Sequence, residues 1–369
     1  MIQLVLSLDY EVFGNGSGDV RRDIIEPTQR LLELCDKYGA KVSIFFEVGE
    51  YWAMKKAERD GLLNLNYSPS IEIEKQVQLA AKNGHDVQLH LHPWWIGAEF
   101  VNSKWQLNPE YRRITDLPNG MGNENDIFSI VGVLSQGKET LENIIKPVCP
   151  DYECLTYRAG AFWAQPSKDL IAGIKKAGLI ADSSVVQGLI EEKPILTDYR
   201  RAKSSIGYWW TNEEDISLSG IDGENIIEFP VYSKIKSYLC NFKWTKLSAT
   251  LKRRKNEKED PHGHGMKKAR QSTDSSKTIL RKLFSTQPIK YDFCKLSARD
   301  MIQGLKQAIK DNGLENKTAD TPVILLGHCK DYWNDKNLEK FLGFVKNRCS
   351  NNTEFSTYTV IIKKIIGNR

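Results

Sequence analysis

The chain has 369 residues, 40% apolar and 27% charged, a composition that supports a sizeable core and is ordinary for a soluble protein. No apolar stretch approaches the roughly 20 residues of a membrane span, and the opening MIQLVLSLDYEVFG has too short an apolar run for a secretory signal. Seven cysteines with no C-x-x-C pair point to reduced thiols in a cytoplasmic setting and away from a disulfide framework.

Short apolar runs alternate with helix-period segments along most of the chain. IQLVLSLD reads as a buried strand, and EPTQRLLELCDKYG as a helix with Leu31, Leu34, Cys35 and Tyr38 on one face and Gly39 as its stop. KVSIFFEV is the second strand. Ser70 is the expected cap of a helix whose face is Ile73, Val77, Ala80 and Ala81, ending at Gly84. DVQLHLH is the third strand, and 94–125 is irregular. A helix over 128–146, the strand ECLTYRAG, the helix SKDLIAGIKKAG and the strands LIADSSV and NIIEFPV follow. SARDMIQGLKQAIKDNG is a helix with a Ser297–Asp300 capping pair, PVILLGH a strand, NLEKFLGFVKNR a helix, and TYTVIIKK a final strand. Such alternation predicts a parallel sheet covered by helices, and about seven or eight units predict an α/β barrel formed by the whole chain, 1–369.

One segment breaks the pattern. Residues 234–290 hold 16 Lys or Arg against four acids, a net of +12 in a chain of +5, which leaves −7 for everything else. Its centre, KRRKNEKEDPHGHGMKKARQSTDSS, has no apolar periodicity and reads as an exposed insertion into the barrel. The flanks mix basic and apolar residues, among them Trp244, Leu247, Leu283 and Phe284. That mixture fits peripheral contact with an anionic membrane, on its inner face for a cytoplasmic protein. No nucleic-acid-binding fold accompanies the charge, so nucleic acid is not an expected partner. His262 and His264 lie in this segment without an acid or Cys at metal spacing and read as solvated loop.

In parallel α/β folds the carboxyl ends of the strands line the active site. Here they carry Asp9 and Glu11, His90 and His92, Arg158, Asp182 and His328. Packing alone does not account for so many reactive ends, because a buried charge is costly unless it is paired or bound to a metal. Imidazoles with a carboxylate form a ligand set for zinc or a similar divalent ion. Asp9 and Glu11 are two apart on one strand face, so one can ligate while the other acts as base. A histidine across the site can serve as general acid, and Arg158 can keep a carboxylate ionised. Trp163 and Trp94 are aromatic candidates for stacking on a sugar ring, and Asp182 is a candidate for substrate contact. His85 reads as structural. A thiol nucleophile at Cys329 is disfavoured, because chain neighbours rarely face each other at a strand end.

SLDYE, GHDVQLHLHP, YRAG, ADSS and LLGH, in that order, resemble the signature blocks of the polysaccharide deacetylases (the NodB-homology group, carbohydrate esterase family four), in a divergent form. GAKVSIFFEVGEYW is similar to that family's second strand. The resemblance runs from residue 1 to about 348 and is interrupted by the basic insertion. It implies a distorted (β/α) barrel of about seven parallel strands that removes N-acetyl groups from a glycan or lipid-linked saccharide with the help of a divalent metal. Position by position it implies Asp9 as base, Glu11 as acidic ligand, His90 as first histidine ligand, Arg158 as the residue orienting the base, and His328 as general acid. Two departures stand out. Tyr10 separates two acids that are commonly adjacent, and Trp94 holds the usual place of the second histidine, a role that falls to His92. The other readings open to this sequence are a glycoside hydrolase on a related barrel, with the paired carboxylates as acid and nucleophile, and a non-catalytic glycan-binding protein.

Overall fold

A computed structural model describes residues 1–237, 286–314 and 320–367. In chain order the elements are β1 (Ile2–Tyr10), α1 (Glu26–Lys37), β2 (Val42–Glu47), α2 (Val48–Arg59), α3 (Pro69–Lys82) and β3 (Asp86–Leu91). The hairpin β4 (Glu99–Val101) and β5 (Lys104–Gln106) follows, then α4 (Ile130–Ile145), β6 (Thr156–Ala159), α5 (Lys168–Lys176) and β7 (Ala181–Asp182). Next come the short strands β8 (Ile190–Glu191), β9 (Thr197–Asp198), β10 (Trp209–Trp210) and β11 (Ile227–Glu228), and the ribbon β12 (Ser233–Ser237) and β13 (Thr286–Lys290). The chain closes with α6 (Ala298–Leu314), β14 (Thr321–His328), α7 (Asp335–Arg348), β15 (Thr353–Ser356) and α8 (Tyr358–Gly367).

One sheet organises the molecule, in the order β10-β11-β7-β6-β3-β2-β1-β14, with β15 beside the first half of β1. All its neighbours pair in parallel except β10 with β11. The sheet curls toward a barrel but stays open. Among the described residues the seam between β11 and β14 is crossed by isolated bridges, Val186 with Val231, Val231 with Ile324 and Asp292 with Leu326. The expected barrel of about seven strands is therefore a curled, open sheet of nine. Two-residue strands such as β7, β10 and β11 are too short to sustain a closing ladder.

The central strands β1, β2, β3 and β6 are buried along their whole length yet two-sided, because side chains alternate across a pleat. Leu4, Leu6 and Leu8 of β1 join Val42, Ile44 and Phe46 of β2 and Val87, Leu89 and Leu91 of β3 in the layer beneath the helices. Val5 of β1, Phe45 of β2 and Ile324 of β14 face the concave side, where a second, smaller core lies. The same parity puts Ser7 and Asp9, Glu47, and Gln88 and His90 on the concave side. The inner face is thus apolar at its base and ionisable at the carboxyl ends.

Two local expectations are corrected. TYTVIIKK is not a strand but the start of α8, and Tyr358, Ile361 and Ile362 of this helix enter the concave core. The β-branched residues raise strand propensity, but their 3–4 spacing is a helical stripe, and packing inside the curled sheet decides the outcome. Helix α3 is capped by Ser68, whose Oγ accepts from the Ile71 amide (3.3 Å) with Pro69 at the first position, and not by Ser70. The Ser297–Asp300 cap forms as the sequence suggests, with the Asp300 amide donating to Ser297 Oγ (3.2 Å).

The ends of the basic segment belong to the folded body. Ser233 pairs with Lys290 in the β12–β13 ribbon, Ser233 Oγ donates to the Gln187 carbonyl (3.2 Å), and the Tyr291 amide donates to the Tyr232 carbonyl (2.9 Å). The remainder, 238–285, on which the membrane expectation rests, lies outside the described residues. No helix among the described residues is long and apolar enough to cross a membrane.

Because Ile362 is fully buried in the concave core, Ile362→Ala should cost about 2–5 kcal/mol. Urea unfolding checks this, and a midpoint equal to that of the parent chain would contradict the packing of α8.

Candidate active site

Register places the reactive residues side by side. Asp9 pairs with His328 across β1 and β14, while Glu47, His90 and Arg158 form a row across β2, β3 and β6. Residues aligned in parallel register point to one face, so these end groups converge on the concave side. They line a cavity of about 310 Å³ whose wall includes Asp9, Glu11, His90, His92, Trp163 and His328.

Arg158 is wholly buried, and Nε and both terminal nitrogens donate. It donates to Asp9 Oδ1 (2.6 Å), the Ser183 carbonyl (2.9 Å), Ser183 Oγ (3.1 Å), Ser7 Oγ (3.1 Å) and Tyr358 Oη (3.0 Å). Its guanidinium carbon also sits 3.8 Å from the centre of the Phe45 ring. The other oxygen of Asp9, Oδ2, faces His328 Nε2 at 3.5 Å. Burial opposes ionisation of Asp9, but Arg158, His90 and His328 outweigh it and hold the carboxyl below its usual value. Burial pushes His328 toward the neutral form, against the pull of Asp9.

Glu11 divides its oxygens. Oε1 accepts from Lys330 Nζ (2.7 Å), while Oε2 faces His92 Nδ1 (3.0 Å) and His90 Nε2 (3.6 Å). Glu47 Oε2 accepts from the His92 amide and lies equally close, 2.7 Å, to His92 Nδ1. Burial opposes charge on both Glu11 and His92. Lys330 and His92 nevertheless hold Glu11 well below the carboxylate range, and the two glutamates push His92 up to about 10.

Glu11, Glu47, His90 and His92 form a buried group that can hold a metal ion, with one donor atom from each lying within 4.8 Å of the others. His90 supplies the clearest sign of fit. Its Nδ1 lies 2.9 Å from the Arg158 carbonyl, which can only accept, so the neutral ring carries its lone pair on Nε2. That buried Nε2 has no hydrogen-bond partner among the described residues. In the protein without an ion, the His92 proton and Lys330 balance the two glutamates. A divalent cation would take the place of that proton, as metal binding at histidine generally does.

Of the residues singled out in the sequence, Asp9, Glu11, His90, His92, Arg158 and His328 come together, and Trp163 lines the cavity with its Nε1 donating to Glu191 (2.9 Å). Trp94 does not line it; its ring lies against His92, 4.3 Å between centroids. Asp182 is also outside the lining. It is buried, accepts from the Ser184 amide (2.7 Å), and burial pushes its pKa up to about 6 beside Glu228. His85 accepts from the Val42 amide (3.1 Å), away from the cavity. The Cys329 thiol contacts the Glu11 backbone at 3.4 Å, and burial drives its pKa up, which leaves it a poor nucleophile. Sequence reasoning passed over Glu47, Lys330 and Tyr358. Glu47 was findable, since it ends β2 on the same parity as the other end groups.

The turn after β6 is strained and tightly fitted. Ala161 and Phe162 adopt positive φ values of 54° and 63°, conformations that non-glycine residues take at a cost and that cluster at functional sites. A Cβ on Gly160 would lie 2.3 Å from the His92 ring, so only glycine lets the imidazole reach Glu11 and Glu47.

Solved structures similar to this chain include a protein described as a polysaccharide deacetylase from Mycobacterium smegmatis, with a TM-score of 0.44, 12% identity, and coverage of 100% of this chain and 91% of that one. An allantoinase gives 0.43, 11%, and 98% and 89%, and a GH57 branching enzyme from Thermococcus kodakaraensis gives 0.48, 12%, and 98% and 71%. No protein-family model matches the chain, and no curated protein matches it by sequence.

If the group holds a divalent ion, Gly160→Ala should push His92 out of the cluster and weaken its binding by about 10-fold or more, the scale seen when the surroundings of a ligand are disturbed. Calorimetric titration with zinc measures this, and parent-like affinity would contradict the role given to the close approach.

Proposed function

We propose that the protein is a metal-dependent hydrolase that removes the acetyl group from an N-acetylated sugar. The observation that carries this reading is the meeting, on the wall of one cavity, of an ionised Asp9 beside His328 with Glu11, His90 and His92, which share a buried donor group with Glu47. Zinc suits the two-imidazole, carboxylate set best. When bound there, such an ion supplies Lewis acidity toward an amide carbonyl and lowers the pKa of water.

The chain's own residues supply the proton chemistry. Asp9 stays anionic beside Arg158, so it can take a proton from the attacking water. Arg158 restrains Oδ1 and leaves Oδ2 as the face turned to His328. His328 is held neutral by burial, so its Nε2 can receive that proton across 3.5 Å and pass it to the departing nitrogen. The products are acetic acid, which keeps one proton of the attacking water and then ionises to acetate, and a free amine, which receives the other through Asp9 and His328. Trp163 on the cavity wall offers an apolar ring for a pyranose face. The Glu11–Lys330 pair leaves Oε2 free to ligate beside the histidines.

Acetate release from N-acetylglucosamine oligomers, measured with metal content, tests this function. Asp9→Asn and His328→Ala should lower turnover by about 100-fold or more, the scale of a lost acid or base, with zinc content near that of the parent. His90→Ala should lose both zinc and activity. Glycosidic-bond cleavage that survives complete chelation would instead support the glycosidase reading of the paired carboxylates.

A further inference from the structure

The cavity holds more positive charge than its acids use. Asp9 is matched by Arg158, and Glu11 by Lys330 together with the shared His92 proton. Lining the same cavity are two further lysines, Lys193 and Lys290, and one further acid, Glu191. Glu191 already accepts from Trp163 Nε1 and cannot neutralise both. Among the described residues neither lysine makes a salt bridge to a carboxylate. The Lys290 ammonium lies over the Phe162 ring, 4.2 Å from its centroid, a weak substitute for an anion.

Lys290 is held there by the fold. It ends β13, where it pairs with Ser233, and its carbonyl accepts from the Asp292 amide (3.0 Å). The ring beneath its ammonium belongs to Phe162, one of the two residues with strained positive φ after Gly160. Burial disfavours its charge, and the attraction of Asp292, Asp9 and Glu191 does not fully restore it. An ammonium that is partly buried, has no carboxylate in salt-bridge contact among the described residues, and is set over an aromatic ring in a cavity wall is placed to receive an anion.

We propose that the substrate carries its own oxyanion, a carboxylate or a phosphate, close to the acetamide, and that Lys290, assisted by Lys193, receives it. This rests on the deacetylase reading for the identity of the neighbouring reactive group. It changes the expected substrate from a neutral glycan to an acidic or phosphorylated saccharide. It also makes the end of the basic segment part of the specificity of the site, and not only an appendage of the body.

The test compares three probes on the zinc-loaded full chain: N-acetylglucosamine, N-acetylglucosamine 1-phosphate and N-acetylmuramic acid. At least one of the two anionic sugars should exceed the neutral one in kcat/KM by about 10-fold, as expected for one charge-assisted hydrogen bond, and which one does so separates phosphate from carboxylate. Lys290→Gln should reduce that ratio by about the same factor, and Lys290→Arg should keep most of it. Equal ratios in the parent chain and Lys290→Gln, or no preference for either anion, would overturn the proposal. If no probe releases acetate, the deacetylase reading fails while the anion site is still decided by calorimetric binding of the same three sugars. Tighter binding of an anionic sugar that weakens in Lys290→Gln upholds the site, and equal binding of all three rejects it.

Discussion

The buried ion pair between Arg158 and Asp9 is the constraint on which the other arrangements depend. Moving a guanidinium and a carboxylate out of water costs several kcal/mol per ion, which their attraction offsets only when the remaining donors are also satisfied. Here they are, by Ser7, Ser183 and Tyr358. These partners come from three distant parts of the chain, so the ion pair is stable only when β1, the turn after β7 and α8 are all in place. The same residue orients the group that can hold a metal, since the Arg158 carbonyl fixes His90 and the glycine two positions later admits His92.

Charge then propagates through the cavity in two short chains. One runs from Arg158 through Asp9 to His328, and the other from Lys330 through Glu11 and His92 to Glu47. Asp9 and Glu11 each have a cation on one side and an imidazole on the other. This keeps the carboxylates ionised in a place where burial alone would protonate them. Tyr10, between the two acids, points to the opposite face and donates to Gln76 (2.8 Å), so the interrupted acid pair still presents both carboxylates to one space.

Much of this was legible in the sequence, because period-two alternation and strand ends are local properties. Asp9, Glu11, His90, His92, Arg158 and His328 could be picked out from their places at the ends of apolar runs. What was not legible depends on tertiary placement. Helix α8 looks like a strand until the hollow of the curled sheet gives its Tyr358–Ile361–Ile362 stripe something to pack against. Trp94 and Asp182 stand at apparent strand ends, yet one packs its ring against His92 and Trp163 and the other is buried beside Glu228, and neither is among the residues that line the cavity. Lys330 and Lys290 carry no sequence signal, because a lysine after a strand or within a basic run resembles any solvated lysine until its surroundings are known.

The group formed by Glu11, Glu47, His90 and His92 is tested most directly by the ion it would hold. Crystals grown with zinc and measured at the zinc absorption edge would locate the ion directly. The account predicts one anomalous peak in the cavity, about 2.0–2.2 Å from His90 Nε2 and from a carboxylate oxygen of Glu11. A cavity without a peak at full zinc loading, or an ion bound by other residues, would contradict it.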